Sequence, residues 1–483
     1  MSKNVSELQS AKQFLMINGE KIETTKYASL FSPYSGEEIA QIAMADKEVT
    51  QKAIEAAYNA REVMAKMPAY KRAEILEKVV ALLIEKADEA AEIITRESAK
   101  PIMFSKAEVA RTIETYKFAA EEAKRIHGET IPFDAAVGGV GRIGYTVREP
   151  IGVIGAITPF NFPMNLVAHK VGPAIASGNT IVLKPASQTP LSALFIAELF
   201  SDAGLPAGAL NVVTGPGGTV GEAIVEDERV NMVTFTGSPS VGIGIRNKAG
   251  LKKTTLELGS NSALIIDKDI EIDQIIDRCI MGAFSNQGQV CISLQRVYAH
   301  EEVYEEFVKK FTAATKQLKI GNPFDPETYI SALISKGEAE RVAGWIEETK
   351  GSKANIAAGG KLKDGILEPT IITDAEHNLK VSCQEAFAPV VVVNKVGSVE
   401  EAVREVNNSR FGLQAGIYTN SVKNALFASQ ELHVGGVMIN DVPTYRVDQM
   451  PYGGVKESGT GREGIKYAVE EMTEMKLIVW NHS

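Results

Sequence analysis

Cys291 closes the stretch FSNQGQVC, Phe284 to Cys291, and this is where the chain's chemistry is most legible. Ser285, Asn286, Gln287 and Gln289 are polar and Gly288 loosens the backbone, so the stretch reads as a loop that presents a sulfur as a nucleophile. The plain alternative is a buried structural thiol, the commoner fate of a free cysteine. Beside it stands LELGSNSA, Leu256 to Ala263, in which Glu257 lies between two leucines at a strand-like end. A carboxylate in apolar surroundings has its pKa raised toward the range useful to a general base. Nucleophile and base form a pair, unless Glu257 is instead salt-bridged to Lys252 or Lys253.

The elements that must position this pair exceed one compact core. At 483 residues the chain should form two or three domains, each able to bury enough apolar surface to stand alone. With 45% hydrophobic and 23% charged residues the composition is that of a globular protein. A net charge of -10 argues against nucleic acid and an anionic membrane surface as partners. Cys279, Cys291 and Cys383 are too few and too scattered for a disulfide framework or a zinc site, and no metal is expected. A reducing cytoplasm fits. The first fifteen residues lack a basic start followed by an apolar run, and Ile151 to Ala176 is broken by Pro159, Pro163 and Pro173, so neither a signal peptide nor a membrane span is expected.

Met16 to Ile42 reads as small strands and turns, and Lys47 to about Ile126 as amphipathic helices that serve as scaffold. Between Gly152 and Phe235 the runs GVIGAIT, NTIVLKP, NVVTG and NMVTFTG alternate with helical stretches. Continuous apolar strands joined by helices imply a buried parallel sheet, whose ligands sit beyond the carboxyl ends of the strands. The loops TPFNFP, KPAS, VTGPGGTVG and FTGSPSVG are therefore the expected dinucleotide site, although none carries the GxGxxG fingerprint. A second alternation from Asn261 to about Val437, with Val297 to Ala299, a helix Val303 to Leu318 and VVVVNK, implies a second α/β domain. Pro132 to Val147 and KLIVW, Lys476 to Trp480, are outlying strand pieces whose free edges would seek partners.

The motifs FSNQGQVC, LELGSNSA, TPFNFP, KPASQTP, FTGSPSVG, QEAFAPV and PYGGVKESGTGREG, in this order-preserving set across most of the chain, resemble the aldehyde dehydrogenase superfamily. Within it, NLVAHK, GQVCIS and the tail from INDVPTYRVDQM resemble the lactaldehyde dehydrogenase type. The resemblance implies an α/β fold with a Rossmann-type cofactor domain (1–127 and 148–256), a catalytic domain (257–450) and a β oligomerisation flap (128–147 and 468–483) that pairs subunits into a homodimer or homotetramer. It also implies oxidation of an aldehyde to the acid by NAD or NADP, through a thiohemiacetal and a thioester on Cys291.

By the same resemblance the oxyanion donors are the Asn161 side chain and the Cys291 backbone N–H, Glu257 activates the hydrolytic water, and Lys170 with Glu463 relays the proton outward. Asn161 could also be only a turn residue, and Lys170–Glu463 only an ion pair. Lys184 would bond the adenosine ribose, Glu385 the nicotinamide ribose with Phe387 packed against it, and Gly237, Ser238 and the following helix the pyrophosphate. Thr158, Pro159, Phe160, Gly217, Phe235 and Leu258 complete the expected cofactor contacts, and Gly215, Gly217 and Gly221 serve either close approach or tight turns. Ser187 stands where many NAD-selective relatives carry a glutamate, and a hydroxyl would not repel a 2′-phosphate. Ser260, Ala263 and Ala388 depart from the family pattern near the site, which puts fine positioning in doubt and leaves the reaction class untouched.

Asn165, His169, Val290, Ile292, Tyr445 and Arg446 are the expected lining of the aldehyde tunnel. His169 replaces the arginine of relatives acting on succinic semialdehyde, which disfavours that substrate. Arg446 suits a short hydroxylated or anionic aldehyde such as lactaldehyde, a sulfonated analogue or glyceraldehyde 3-phosphate, unless it is a surface arginine paired with Asp441 or Asp448. Two rivals compete. A CoA-acylating enzyme is opposed by a base poised for water at Glu257, and a silent structural or binding protein by the joint presence of Cys291, Glu257 and Asn161.

Overall fold

Residues 11–482 are described by a computed structural model; residues 1–10 and Ser483, which include most of the stretch read for a leader and the ends of the expected cofactor unit and flap, lie outside the described residues. Four helices follow the N-terminal strands: α1 (Lys47–Lys66), α2 (Ala69–Glu85), α3 (Ala87–Ser98) and α4 (Ile102–Ala123). Asp46 starts α1 by accepting the Val49 N–H at 2.9 Å, and α3 ends at Ala99 in the left-handed region, just before Pro101. The apolar positions at helical spacing, among them Ile75, Leu76, Val79, Val80 and Leu83, are the ones buried.

The first alternation gives the parallel strands Val153–Ile157, Thr180–Lys184, Leu210–Val212, Val230–Thr236 and Lys253–Glu257. They are joined by α5 (Asn165–Ala176), α6 (Leu191–Asp202), α7 (Glu222–Glu226) with a preceding π turn, and α8 (Pro239–Lys248). Along the sheet the order of these strands is fifth, fourth, first, second, third. The chain therefore reverses direction across the sheet between Val153–Ile157 and Val230–Thr236, and the crevice at such a reversal is where ligands bind. Short antiparallel strands extend the sheet to eight, including Gly459–Thr460, which pairs with Leu256 and Glu257.

A second, seven-stranded sheet runs Asn355–Ala358, Thr370–Thr373, Val390–Val396, Arg296–His300, Ala263–Ile266, Gln414–Tyr418 and Gly436–Ile439, parallel except at the first pair. The two sheets have separate apolar cores, one built on Ile154, Ile181 and the α2–α6 faces, the other on Leu264, Val297, Phe307 and Val391. The outlying pieces meet: Arg142–Pro150 pairs along nine positions with Thr473–Asn481 and, on its other side, with Thr130–Ile131. Met475, Leu477 and Trp480 on the outer strand are exposed. Among the described residues no helix is long and apolar enough to cross a membrane.

Candidate active site

Cys291 lies at the meeting of the two sheets' loops, and the polar stretch before it is not the open loop its composition suggests. Asn286, Gln287 and Gly288 are consecutive left-handed residues, a costly arrangement for the first two of about 1–3 kcal/mol each. Their side chains hold it in place. Gln287 donates to the Ala99 and Ala332 carbonyls at 3.1 and 2.9 Å, and Asn286 to the Asn161 and Gln289 carbonyls at 3.0 and 3.2 Å. Gln289 accepts the Ile334 N–H at 3.0 Å. The amides that suggested exposure are buried struts, because each finds a backbone partner. Gly288 is required by close approach: a Cβ there would lie 2.2 Å from the Ala388 carbonyl.

The sulfur itself is half-buried and, among the described residues, has one hydrogen bond, to the Tyr452 hydroxyl at 2.8 Å. Burial pushes its thiol up to about 11, against the downward pull of the Tyr452 hydrogen bond and the Arg446 charge. Asn161 is buried nearby, its amide donating to the Gln289 carbonyl at 3.0 Å while its Oδ1 has no partner. Asn161 is thus tied by backbone and side chain to the cysteine loop, more than a turn between prolines requires.

Glu257 ends its strand with 3% exposure, and neither carboxylate oxygen has a hydrogen-bond partner among the described residues. Burial first, and then the charge of Glu463, hold its pKa well above the carboxylate range. Neither lysine proposed for it is engaged with it, since Lys252 donates to Val225 and Lys253 to the Glu471 and Thr473 carbonyls and to Glu474. Gly453 leaves it room, because a Cβ there would meet its Oε1 at 3.0 Å. Behind it, Glu463 receives Lys170 at 3.0 Å on one oxygen and Arg446 at 3.1 Å on the other. Burial alone would raise Glu463; the two cations hold it down to about 2. A carboxyl raised well above its ordinary range beside one held below it is the arrangement of a proton-transfer site.

A cavity of about 390 Å³ ends at Cys291 and is lined by Asn165, Val290, Ile292, Tyr445 and Arg446 of the expected set. His169 sits one turn after Asn165 on α5, behind the lining residues; Asp448 holds its ring at 2.8 Å, and Arg446 of the lining contacts the same nitrogen at 3.2 Å. Arg446 is no surface residue. Its side chain is 7% exposed, Asp441 is taken by Arg278 and Asp448 by Arg111, and its Nε has no partner.

The helices read as scaffold also supply cavity wall, since α4 brings Phe104, Glu108 and Arg111. Sequence reasoning missed Arg111, Arg278, Glu108 and Tyr452. The charges on helices were indistinguishable from a solvated face, and PYGG offered only a tyrosine in a turn. Glu108 is buried against Lys100, which also donates to the Asn161 carbonyl at 2.7 Å, while Glu108 accepts the Met164 and Asn165 N–H groups at 2.9 and 3.1 Å. The pair braces TPFNFP from below. Removing one partner of such a pair costs about 3–5 kcal/mol, whereas replacing both by apolar groups is often neutral. Lys100→Met should therefore lower the denaturant midpoint markedly, and Lys100→Met with Glu108→Leu should recover only part of it, because the Met164 and Asn165 N–H groups then lose their acceptor.

On the far side of Cys291 a groove of about 330 Å³ follows the sheet's reversal point, lined by Ile157, Lys184, Gly217, Gly221 and Phe235 and by α8. The Lys184 amine is brought down to about 8 by burial and donates to the Pro185 carbonyl. Gly237 and the exposed Ser238 precede Pro239 at the first position of α8, so that helix's positive end faces outward. The hydroxyls of Thr158 and Thr236 are buried without partners. A buried amine, orphan hydroxyls and a free helix start fit a dinucleotide. Nearer the cysteine, Glu385 accepts the Ser260 N–H at 2.9 Å, and burial pushes it up to about 7 against that bond and two arginines. Gly259 is required here, because a Cβ would meet the Glu385 carboxylate at 2.5 Å. Phe387 stands edge-on to Phe160, ring centroids 5.7 Å apart, and Leu258 is buried beneath α8 against Gly242. Ser187 is exposed on the loop that follows Lys184, outside the lining of this groove, and contacts the Gly215 carbonyl at 3.4 Å.

Residues 21–478 match the model of the aldehyde dehydrogenase family. The chain is 46% identical over 478 residues to a 3-sulfolactaldehyde dehydrogenase of Priestia aryabhattai, covering 99% of this chain and 100% of that protein. It is 43% identical over 471 residues to a lactaldehyde dehydrogenase of Methanococcus aeolicus, covering 97% and 100%. The crystal structure of glyceraldehyde-3-phosphate dehydrogenase GapN from Methanocaldococcus jannaschii, complexed with NADP, superposes with a TM-score of 0.91 at 39% identity, covering 95% of this chain and all of that one. With its fold, its motifs and these likenesses running the full length of the sequence, this chain belongs to the aldehyde dehydrogenase family and is an oxidoreductase.

Proposed function

We propose that this enzyme oxidises a short hydroxylated or anionic aldehyde, of the lactaldehyde or sulfolactaldehyde kind, to its carboxylic acid with NAD or NADP. The observation that carries the substrate class is the cavity at Cys291, whose lining includes Arg111, Arg278 and Arg446, while its one carboxylate, Glu108, is already paired with Lys100. The partnerless Nε of Arg446 is a donor in want of an acceptor. The named activities of the similar proteins agree with it. A semialdehyde or glyceraldehyde-3-phosphate dehydrogenase of the same mechanism is the second reading, favoured by the likeness to GapN.

In this mechanism the Cys291 thiolate attacks the carbonyl carbon. A C–S bond forms and the carbonyl electron pair moves to oxygen, where the Asn161 amide and the Cys291 N–H receive it. The nicotinamide nucleotide, when bound, supplies the acceptor for the substrate's hydride. Glu257 takes a proton from water as that water attacks the thioester left on Cys291; the C–S bond breaks and the acid is released. Arg446 steadies Glu463, and the Lys170–Glu463 pair carries the proton onward from Glu257.

Thr158, Pro159, Phe160, Lys184, Gly217, Phe235, Gly237, Ser238 and Leu258 would hold the adenosine and pyrophosphate side, and Glu385 with Phe387 the nicotinamide ribose. Ser187, exposed and uncharged, leaves a 2′-phosphate unopposed. The chain divides at the boundaries expected from its motifs, its exposed flap strands join copies into a homodimer or homotetramer, and it works in the cytoplasm.

A screen of kcat/KM over sulfolactaldehyde, lactaldehyde, glyceraldehyde 3-phosphate and propanal, with each nucleotide, tests the substrate class. Arg446→Ala should lower activity on propanal through Glu463, and should lower activity on the anionic aldehyde about 10- to 100-fold further, the worth of a charge-assisted hydrogen bond. Equal losses on both, or a parent enzyme that prefers propanal, would remove the anionic assignment.

A further inference from the structure

We propose that Tyr452 is a catalytic residue whose hydroxyl donates to the Cys291 sulfur, stabilising the thiolate when it attacks and again when it leaves the acyl group. This rests on the reading of Cys291 as the nucleophile. Three observations carry it. The hydroxyl lies 2.8 Å from Sγ and has no other hydrogen-bond partner among the described residues. The tyrosine is 2% exposed, so its side of that bond is shielded by the protein interior. Its position is fixed, for its backbone is bridged in both directions to Glu463, at 3.0 and 2.6 Å, and the Arg446 guanidinium lies over its ring at 3.7 Å. A phenylalanine would satisfy the packing and the cation contact. Only the hydroxyl reaches the sulfur.

The direction of donation follows from the surroundings. Tyr452 is buried and faces Glu257 as well as Cys291, and both influences keep the phenol protonated, with Arg446 alone opposing. Cys291 is faced by Tyr452, Arg446, Glu257 and Glu385. Burial and the two carboxyls disfavour the thiolate, so the groups able to favour it are the phenol O–H and the guanidinium, and of these only the phenol touches it. During attack the C–S bond forms and the O–H···S bond weakens as sulfur loses charge. During hydrolysis the C–S bond breaks, the electron pair returns to sulfur, and the same O–H receives it with no change in the proton inventory.

The test is the rate at which iodoacetamide alkylates Cys291 between pH 6 and 10, with the modified peptide identified by mass spectrometry so that Cys279 and Cys383 do not contribute. A hydrogen bond to a charged group is worth about 10- to 100-fold in the thiolate equilibrium, a shift of about 1–2 pH units. Part is offset because a more basic thiolate is the better nucleophile, so Tyr452→Phe should alkylate about 3- to 10-fold more slowly at pH 7. Its profile should be displaced to higher pH and match that of Tyr452→Ala. A monofluorinated tyrosine at position 452, a stronger donor of the same shape, should displace the profile to lower pH. If Tyr452→Phe keeps the parent profile while Tyr452→Ala loses it, the tyrosine is packing only and the proposal falls, as it does if fluorination has no effect. Failure of the underlying reading is distinguishable: alkylation of Cys291 would then leave aldehyde oxidation intact.

Discussion

Cys291→Ala should lower the rate of aldehyde oxidation by about 10⁴–10⁶-fold, the range seen when a covalent nucleophile is removed from a site whose other parts remain. The expectation is specific to the sulfur. The loop's shape is set by Asn286, Gln287 and Gln289 through hydrogen bonds to Ala99, Ala332, Asn161 and Ile334, none of which involves Sγ. The variant should therefore fold as the parent does, show the same thermal midpoint, and still bind NAD or NADP in the groove beside Lys184 and Phe235. Loss of nucleotide binding together with activity would mean that the substitution had disturbed the fold instead of the chemistry. Cys279→Ala and Cys383→Ala serve as controls, since the first thiol is buried in the second core and the second, two residues before Glu385, makes only weak contacts with Asn378 and Gln384; both should leave turnover near the parent level.

Glu257→Gln should separate the two halves of the reaction. The thioester still forms, so mixing enzyme, aldehyde and nucleotide should give a burst of about one equivalent of reduced nucleotide per site. Steady turnover should fall about 10²–10⁴-fold, the usual worth of a general base. In the parent, Glu257 is useful only when ionised. Burial and the neighbouring Glu463 charge raise its pKa well above the carboxylate range, so the fraction able to take a proton from water grows as pH rises. Steady turnover of the parent should climb with pH through that raised pKa, and the climb should vanish in Glu257→Gln. A variant with neither burst nor turnover would assign Glu257 to the attack step instead of to hydrolysis.

Much of the fold could be read from apolar runs, because strands buried on both faces leave continuous hydrophobic stretches such as IGVIGAIT and NTIVLK. The order in which those strands lie could not, because it depends on which crossover packs on which face, and no residue spells that out. Within the site, Cys291, Glu257 and Asn161 were legible through their motifs. Lys100, Glu108, Arg111 and Arg278 were not: each lies on or beside a helix whose pattern is satisfied by solvent, and only the packing of α4 on TPFNFP, and for Arg278 the pairing of its own helix with Asp441, turns those charges inward. The polar run SNQGQ shows the same difficulty reversed, since composition suggests exposure while backbone groups from Ala99, Ala332 and Ile334 make burial favourable. The place of His169 could not be read either, because α5 is buried all round, so that helical spacing alone cannot tell which side meets the cavity.

Covalent capture of the substrate is the most direct measurement of the central claim. Glu257→Gln, incubated with the aldehyde and oxidised nucleotide and then quenched in acid, should show by intact-mass spectrometry a shift equal to one acyl group, mapped by peptide sequencing to Cys291. An acyl group found on another residue, or reduced nucleotide formed with no adduct on the protein, would contradict the account.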